Sequence, residues 1–134
     1  MIKPPAIEGA PLTLSPIGYV RNGIKDTLPP DQIRAVPSRI ILDSAFVDGL
    51  DGLQPGQQLM VIFQFHVSEG YELLQHPRHD LTRPARGVFA LRTPRRPNPI
   101  GVTVVDLVEI NDNTLHVHGL DAIDGTPVLD LKPA

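Results

Sequence analysis

The stretch Gln58-Leu59-Met60-Val61-Ile62-Phe63-Gln64-Phe65-His66 decides the architecture. Leu59, Val61, Phe63 and Phe65 alternate with Gln58, Met60, Ile62, Gln64 and His66. A period of two is the signature of a strand, because successive side chains point to opposite faces. The first set is uniformly apolar, so the strand is expected to be buried on one face more than on the other. The same logic predicts strands at Leu14–Arg21, Arg39–Leu42, Gly87–Leu91, Val102–Ile110, Thr114–Leu120 and Val128–Leu131. Asn111-Asp112-Asn113 lies between two of them, and residues of these types tolerate turn geometry, which predicts a hairpin there.

Fifteen prolines and eleven glycines are spread along the chain and leave little room for long helices. Ser68–His76, with a serine at its start and Pro77 to stop it, is predicted as a short helix. Asp48–Leu53 reads as a turn. Asn22–Pro37, interrupted by Pro29 and Pro30, is the longest segment without periodicity and is predicted as a surface loop, a kind of segment that is often functional. Many short strands with few helices give a mainly β fold. A small sheet covers both its faces only by curling or stacking, so a barrel or sandwich is expected. At 134 residues the chain fits one domain, 1–134, since domains cluster at roughly 100–150 residues.

Hydrophobic residues make up 41% and charged residues 20%, an ordinary globular composition. There is no cysteine, which excludes disulfides, thiolate zinc sites and thiol nucleophiles and fits a cytoplasmic setting. The N-terminal residues Met1-Ile2-Lys3-Pro4-Pro5 lack the apolar run of a signal peptide, and no stretch approaches the ~18 apolar residues of a membrane span. A soluble, unexported protein is the expectation. Twelve Lys and Arg against fifteen Asp and Glu give a net charge of −3, which argues against nucleic-acid binding through the whole surface. The distribution is uneven. Arg78, Arg83, Arg86, Arg92, Arg95 and Arg96 face the single acid Asp80 in their stretch, whereas Asp106, Glu109, Asp112, Asp121, Asp124 and Asp130 face only Lys132 in theirs. No glycine-rich phosphate loop leads from a strand into a helix and no Gly-x-Ser-x-Gly elbow occurs, so Rossmann and hydrolase readings lose their support.

Thr93-Pro94-Arg95-Arg96-Pro97-Asn98-Pro99-Ile100-Gly101 holds three prolines, each fixing its own φ and pushing its predecessor toward extended backbone. Such a loop is stiff and presents Arg95, Arg96 and Asn98 at low entropic cost, as a preorganised site or as a solvated connector. If Arg86–Arg92 is a strand, Arg86 and Arg92 share a face and suggest an anion site. Asp121–Pro127 reads as a turn, with Asp124-Gly125 its strongest dipeptide, and its carboxylates also suit a cationic ligand. His116 and His118 share a strand face, and His76 and His79 flank Pro77-Arg78, but neither pair has a third ligand in place, so no metal is expected. His66, ending the central strand, is the better functional candidate.

The whole stretch Arg86-Gly87-Val88-Phe89-Ala90-Leu91-Arg92-Thr93-Pro94-Arg95-Arg96-Pro97-Asn98-Pro99-Ile100-Gly101 closely resembles the signature of the TrmO/TsaA family. Further matches fall at Ile17-Gly18, Phe65-His66, His76-Pro77-Arg78, and Asp121–Pro127 followed by Val128–Pro133. The resemblance implies a TsaA-like single-domain β-barrel with one or two short helical turns, which binds S-adenosyl-L-methionine and works as a homodimer. It implies methylation of the exocyclic amine of threonylcarbamoyl-adenosine beside a tRNA anticodon. Carried over by motif, cofactor contacts fall on Gln32, His66, Arg92, Val102, Thr103, Asp121, Ile123, Asp124, Gly125 and Thr126. Arg92 is assigned to the cofactor carboxylate, and Asp121 or Asp124 to its positive charge. Arg95, Arg96 and Asn98 are expected to orient the acceptor, and Arg78, Arg83, Arg86, Arg95 and Arg96 to meet tRNA phosphates. The chain departs from the family pattern at Pro30-Asp31-Gln32 and at Lys132-Pro133-Ala134, after which it stops without the extension that some members carry. Two alternatives therefore stand beside the tRNA reading: a methyltransferase of the same fold acting on a small molecule, and a non-enzymatic S-adenosylmethionine-binding module.

Overall fold

In a computed structural model describing residues 11–134, Gln58–Gln64 forms a strand gripped on both sides. The strands are β1 (Gly18–Arg21), β2 (Ser38–Leu42), β3 (Gln58–Gln64), β4 (Leu74–Gln75), β5 (Arg86–Gly87), β6 (Ile100–Asn111), β7 (Thr114–His118) and β8 (Pro127–Pro133), with a helix α1 at Pro30–Arg34. β3 pairs with β6 from Gln58↔Asp106 to Gln64↔Ile100, and with β8 along its other edge. The order β1-β2-β7-β6-β3-β8 closes on itself as an antiparallel barrel, because β8 also pairs with β1. Closure leaves no unpaired sheet edge among the six strands.

Alternation places the core inside. Leu59 and Val61 of β3, Val105 and Leu107 of β6, and Leu115 and Val117 of β7 are buried with Val20, Ile40 and Val128 from the remaining strands. Gly18 permits the closest strand approach, since a Cβ there would lie 2.5 Å from the carbonyl oxygen of Ile41. The β6–β7 hairpin turns where expected, with Asp112 in the left-handed region at φ 54°.

Three expectations change. Ser68–His76 is not a helix: Gly70 sits at φ 66° and Leu74–Gln75 pairs instead with Arg86–Gly87. Its apolar residues Tyr71, Leu73 and Leu74 are all exposed, so no core face exists to hold a helix that short. The strand expected at Gly87–Leu91 survives only as Arg86–Gly87, and Val88–Ala90 winds into a 3₁₀ turn that buries Val88 and leaves Phe89 outside. Arg86 and Arg92 therefore do not share a strand face. Within the expected loop Asn22–Pro37, α1 starts on Pro29-Pro30, whose fixed φ suits a first helical turn, and buries Ile33.

Candidate functional site

At Gln64 the chain leaves the barrel and rejoins it at Ile100. The neck of this excursion is closed by the Phe65 amide donating to the Pro99 carbonyl at 2.7 Å. Beside the neck, Gly101 lets two aromatic rings lie against the strand: a Cβ there would meet Phe65 Cζ at 2.6 Å and Phe63 Cζ at 2.8 Å. The rings meet edge to face with centroids 5.2 Å apart.

With almost no regular structure, residues 65–99 are tied by side chains onto backbone. Ser68 Oγ donates to the Pro94 carbonyl at 3.1 Å, and Gln75 Nε2 to the carbonyls of Arg95 and Glu72 at 2.6 and 2.8 Å. Arg96 Nη1 turns inward and donates to the carbonyls of Leu91 and Thr93 at 2.9 and 3.1 Å. Arg95 pairs with Glu72 at 3.3 Å. His76 Nδ1 stands 2.8 Å from the Arg83 carbonyl, so that nitrogen carries the proton. Arg78 and His79 both occupy the left-handed region, at φ 53° and 59°, strain of the kind that collects at functional loops.

The facing wall is α1 with the segment between β7 and β8. Asp124 accepts from the amides of Asn22 (2.9 Å) and Gly23 (3.3 Å), and these two N–H groups hold its carboxyl below the ordinary 3.8. Asn22 in turn donates to the Ala122 carbonyl at 2.8 Å. The Thr126 hydroxyl donates to the Ile123 carbonyl at 2.7 Å.

Between the walls lies a cleft of about 470 Å³, within the size range of small-molecule sites. Of the residues singled out from sequence, His66, Arg92, Arg95, Asp121, Ile123 and Thr126 line it. A second pocket of about 140 Å³ adjoins it, sharing Phe63, Phe65, Arg92 and Asp121, and is completed by Arg34, Arg96, Val102 and Thr103 among others. Asp121 thus stands on the wall common to both. Burial pushes its carboxyl above 3.8, Arg34 at 3.9 Å pulls it back, and Asp31 adds to the rise.

Gln32, Asn98 and Asp124 are not brought into either space. Gln32 is exposed on α1, Asn98 is exposed and uses its carbonyl to accept from Ile100, and Asp124 faces Asn22 and Gly23. Gly125 lies beside the cleft, its Cβ position 3.9 Å from His66 Nε2. Arg78, Arg83, Arg86 and Arg95 are exposed, whereas Arg96 is partly buried. The structure adds Leu28, Ile33, Glu69 and His79 to the cleft lining. Leu28 and Ile33 were hidden in the aperiodic loop, and Glu69 by the helical reading of its segment. His79 is visible in the sequence only as the partner of His76 across Pro77-Arg78. The result is a space with apolar plates, two carboxylates and two guanidinium groups, suited to a flat ligand carrying charges of both signs.

Residues 25–134 match the tRNA-methyltransferase O N-terminal domain family. A Methanothermobacter thermautotrophicus protein named as a probable S-adenosyl-L-methionine-binding protein is 37% identical over 125 residues, covering 91% of this chain and 89% of that one. A putative S-adenosylmethionine-dependent methyltransferase of Pseudomonas aeruginosa, RcsF, is 33% identical over 90% of this chain and 54% of its own. The crystal structure of TrmO from Pseudomonas aeruginosa superposes with a TM-score of 0.73 at 33% identity, over 95% of this chain and 57% of that one. The present chain therefore spans little more than half the length of the two Pseudomonas proteins.

Proposed function

The chain belongs to the tRNA-methyltransferase O N-terminal domain family, and on that premise we propose that it is an S-adenosylmethionine-dependent methyltransferase acting on the exocyclic amine of threonylcarbamoyl-adenosine beside a tRNA anticodon. The observation that carries the reading is the composition of the cleft. S-adenosylmethionine combines an adenine ring, a sulfonium, an ammonium and a carboxylate. Leu28, Ile33, Phe65 and Ile123 supply apolar surface for the ring, Glu69 and Asp121 negative charge, and Arg92 a partner for the carboxylate, all on one lining. The residues present fit the group.

When bound, the cofactor supplies an electrophilic methyl group. This chain's part is alignment, which is worth about 7–11 kcal/mol when reactants are held in attacking geometry. Phe63 and Phe65 keep water from the floor, His66 offers a hydrogen bond at the rim, buried Thr126 fixes the Ile123 carbonyl in the wall, and Asp121 places negative charge where the ligand is positive. Val102 and Thr103 belong to the adjoining pocket, and Arg95 and Arg96 on the proline-rich wall orient the acceptor. Asp124 serves the site through the Asn22 and Gly23 amides that it holds, and Gly125 through its turn at φ 82°.

The same reading includes one domain over 1–134, a cytoplasmic location and a homodimer. The outer face of β6 supports the dimer, because Ile100, Val102, Val104 and Val108 are each 39–47% exposed and continue onto Met60 and Ile62 of β3. Exposed Arg78, Arg83, Arg86 and Arg95 supply phosphate contacts. Log affinity for tRNA should then fall with log salt by about 0.7–0.9 per contact, and alanine at Arg78 and Arg83 should flatten the slope.

Incubation with labelled S-adenosylmethionine and total tRNA tests the proposal. Labelled tRNA supports it, label in a small-molecule fraction supports an acceptor of another class, and binding without turnover supports a binding module. Absence of binding contradicts every version.

A further inference from the structure

The proposed acceptor nitrogen carries a purine ring and a carbamoyl group, and both withdraw its lone pair. It attacks well only as its N–H proton leaves, so a base within hydrogen-bond reach speeds the step. Four side chains on the cleft lining are able to take a proton: His66, Glu69, His79 and Asp121. Asp121 stands on the wall facing the excursion and is paired with Arg34 at 3.9 Å. His66 lies toward that wall, its Nε2 3.9 Å from the Cβ position of Gly125. Glu69 and His79 both belong to the excursion, but only His79 lies among the exposed cations, next to Arg78 in a turn that closes on Arg83. RNA held by those arginines brings its acceptor to that side of the cleft.

His79 is also set apart by its backbone. It sits at φ 59° directly after Arg78 at φ 53°, a region that glycine occupies without strain and a branched-ring side chain does not. The turn is nonetheless firmly tied. The His79 amide donates to the His76 carbonyl at 3.1 Å, the Asp80 amide to the Pro77 carbonyl at 3.0 Å, and Asp80 Oδ1 accepts from the Thr82 amide and hydroxyl at 2.9 and 2.6 Å. Strain held in place by neighbouring bonds aims a side chain. The imidazole so aimed makes no hydrogen bond or ion pair among the described residues, which leaves both ring nitrogens unspent.

We propose that His79 is the general base that takes the proton from the acceptor amine, a role that rests on the methyltransferase reading of the cleft. The nitrogen's electron pair forms the new N–C bond, the C–S bond breaks with its pair returning to sulfur, and the N–H proton passes to an imidazole nitrogen. One positive charge thereby moves from the sulfonium to the imidazolium, which releases its proton to water. The charged groups sharing the lining are His66, Glu69, Arg92, Arg95 and Asp121, with Arg78 and Asp80 beside His79 in the chain. Only the neutral imidazole accepts a proton, so the rate falls on the acid side.

Single-turnover methylation of tRNA by the full chain, followed against pH, tests this together with NMR of the His79 ring. His79→Asn, whose side chain tolerates positive φ, should slow the step about 100-fold or more, abolish the acid limb and leave affinity for S-adenosylhomocysteine within about twofold. His79→Gly should match it in rate while raising the thermal midpoint, because the strain leaves with the side chain. Adding the nucleoside threonylcarbamoyl-adenosine to the S-adenosylhomocysteine complex should shift the His79 ring signals, and Glu69→Gln should keep the acid limb. A His79→Asn variant with the native rate, ring signals that do not move, or a limb that disappears with Glu69 overturns the proposal and leaves the methyltransferase reading in place. A native chain that methylates no tRNA removes both.

Discussion

The barrel strands and the excursion between them are held together by different physics. Every barrel strand contributes a side chain to one shared core, whereas residues 65–99 bury a single side chain, Val88. What the excursion lacks in burial it replaces with five prolines and with Ser68, Gln75 and Arg96 bonded to neighbouring carbonyls. The difference teaches that the barrel sets stability and the excursion sets the shape of the cleft, so substitutions in the two regions should separate in what they damage.

The largest effect belongs to the barrel. Leu115 is wholly buried, and Leu115→Ala should cost about 2–5 kcal/mol in denaturant unfolding. A loss below about 1 kcal/mol would erase the distinction between the regions. Next comes the junction. Gly101→Ala drives a methyl into both phenyl rings, and should cost about 1–3 kcal/mol while also weakening ligand binding in the cleft, because those rings form its floor. Unaltered ligand affinity in that variant would separate the floor from the site.

The two acids of the facing wall respond oppositely to pH. Asp124 is held below 3.8 by two N–H groups, so the stability it adds is complete above 3.8 and is lost as pH falls through its lowered value. Asp121 behaves oppositely. Its raised carboxyl means that the folded state binds the proton more tightly, so its ionisation costs stability as pH rises from 3.8 through the raised value. Unfolding curves across this range should show Asp124→Asn losing stability above 3.8 and Asp121→Asn losing none. The smallest effect is expected for Gln75→Ala, about 0.5–1.5 kcal/mol, read as faster amide exchange confined to the excursion.

Sequence reading reached the barrel because its strands announce themselves by alternation: Leu59, Val61 and Phe63 point inward as the period requires. It also reached the Asp112 turn, whose residue type matches its backbone. Ser68–His76 and Gly87–Leu91 were not legible in this way. There Leu73 and Leu74 face solvent and Gln75 pairs with Arg86, so hydrophobic spacing carries no information about shape. Within the site, Arg92 and His66 lay next to readable features, but Ile33 and Glu69 enter the cleft only through long-range folding of aperiodic chain. The position of Asp121 between two pockets depends on α1 delivering Arg34 across from it, a contact 87 residues apart in sequence.

On the proposed reading, the excursion and the facing wall together form a site for S-adenosylmethionine. Calorimetric titration of the full chain with that molecule tests it most directly. The prediction is one site per chain, with affinity reduced about tenfold or more by His66→Ala and by Asp121→Asn, variants expected to leave the barrel's thermal unfolding near its native midpoint. No binding by the native chain, or binding that neither substitution changes, would contradict the claim.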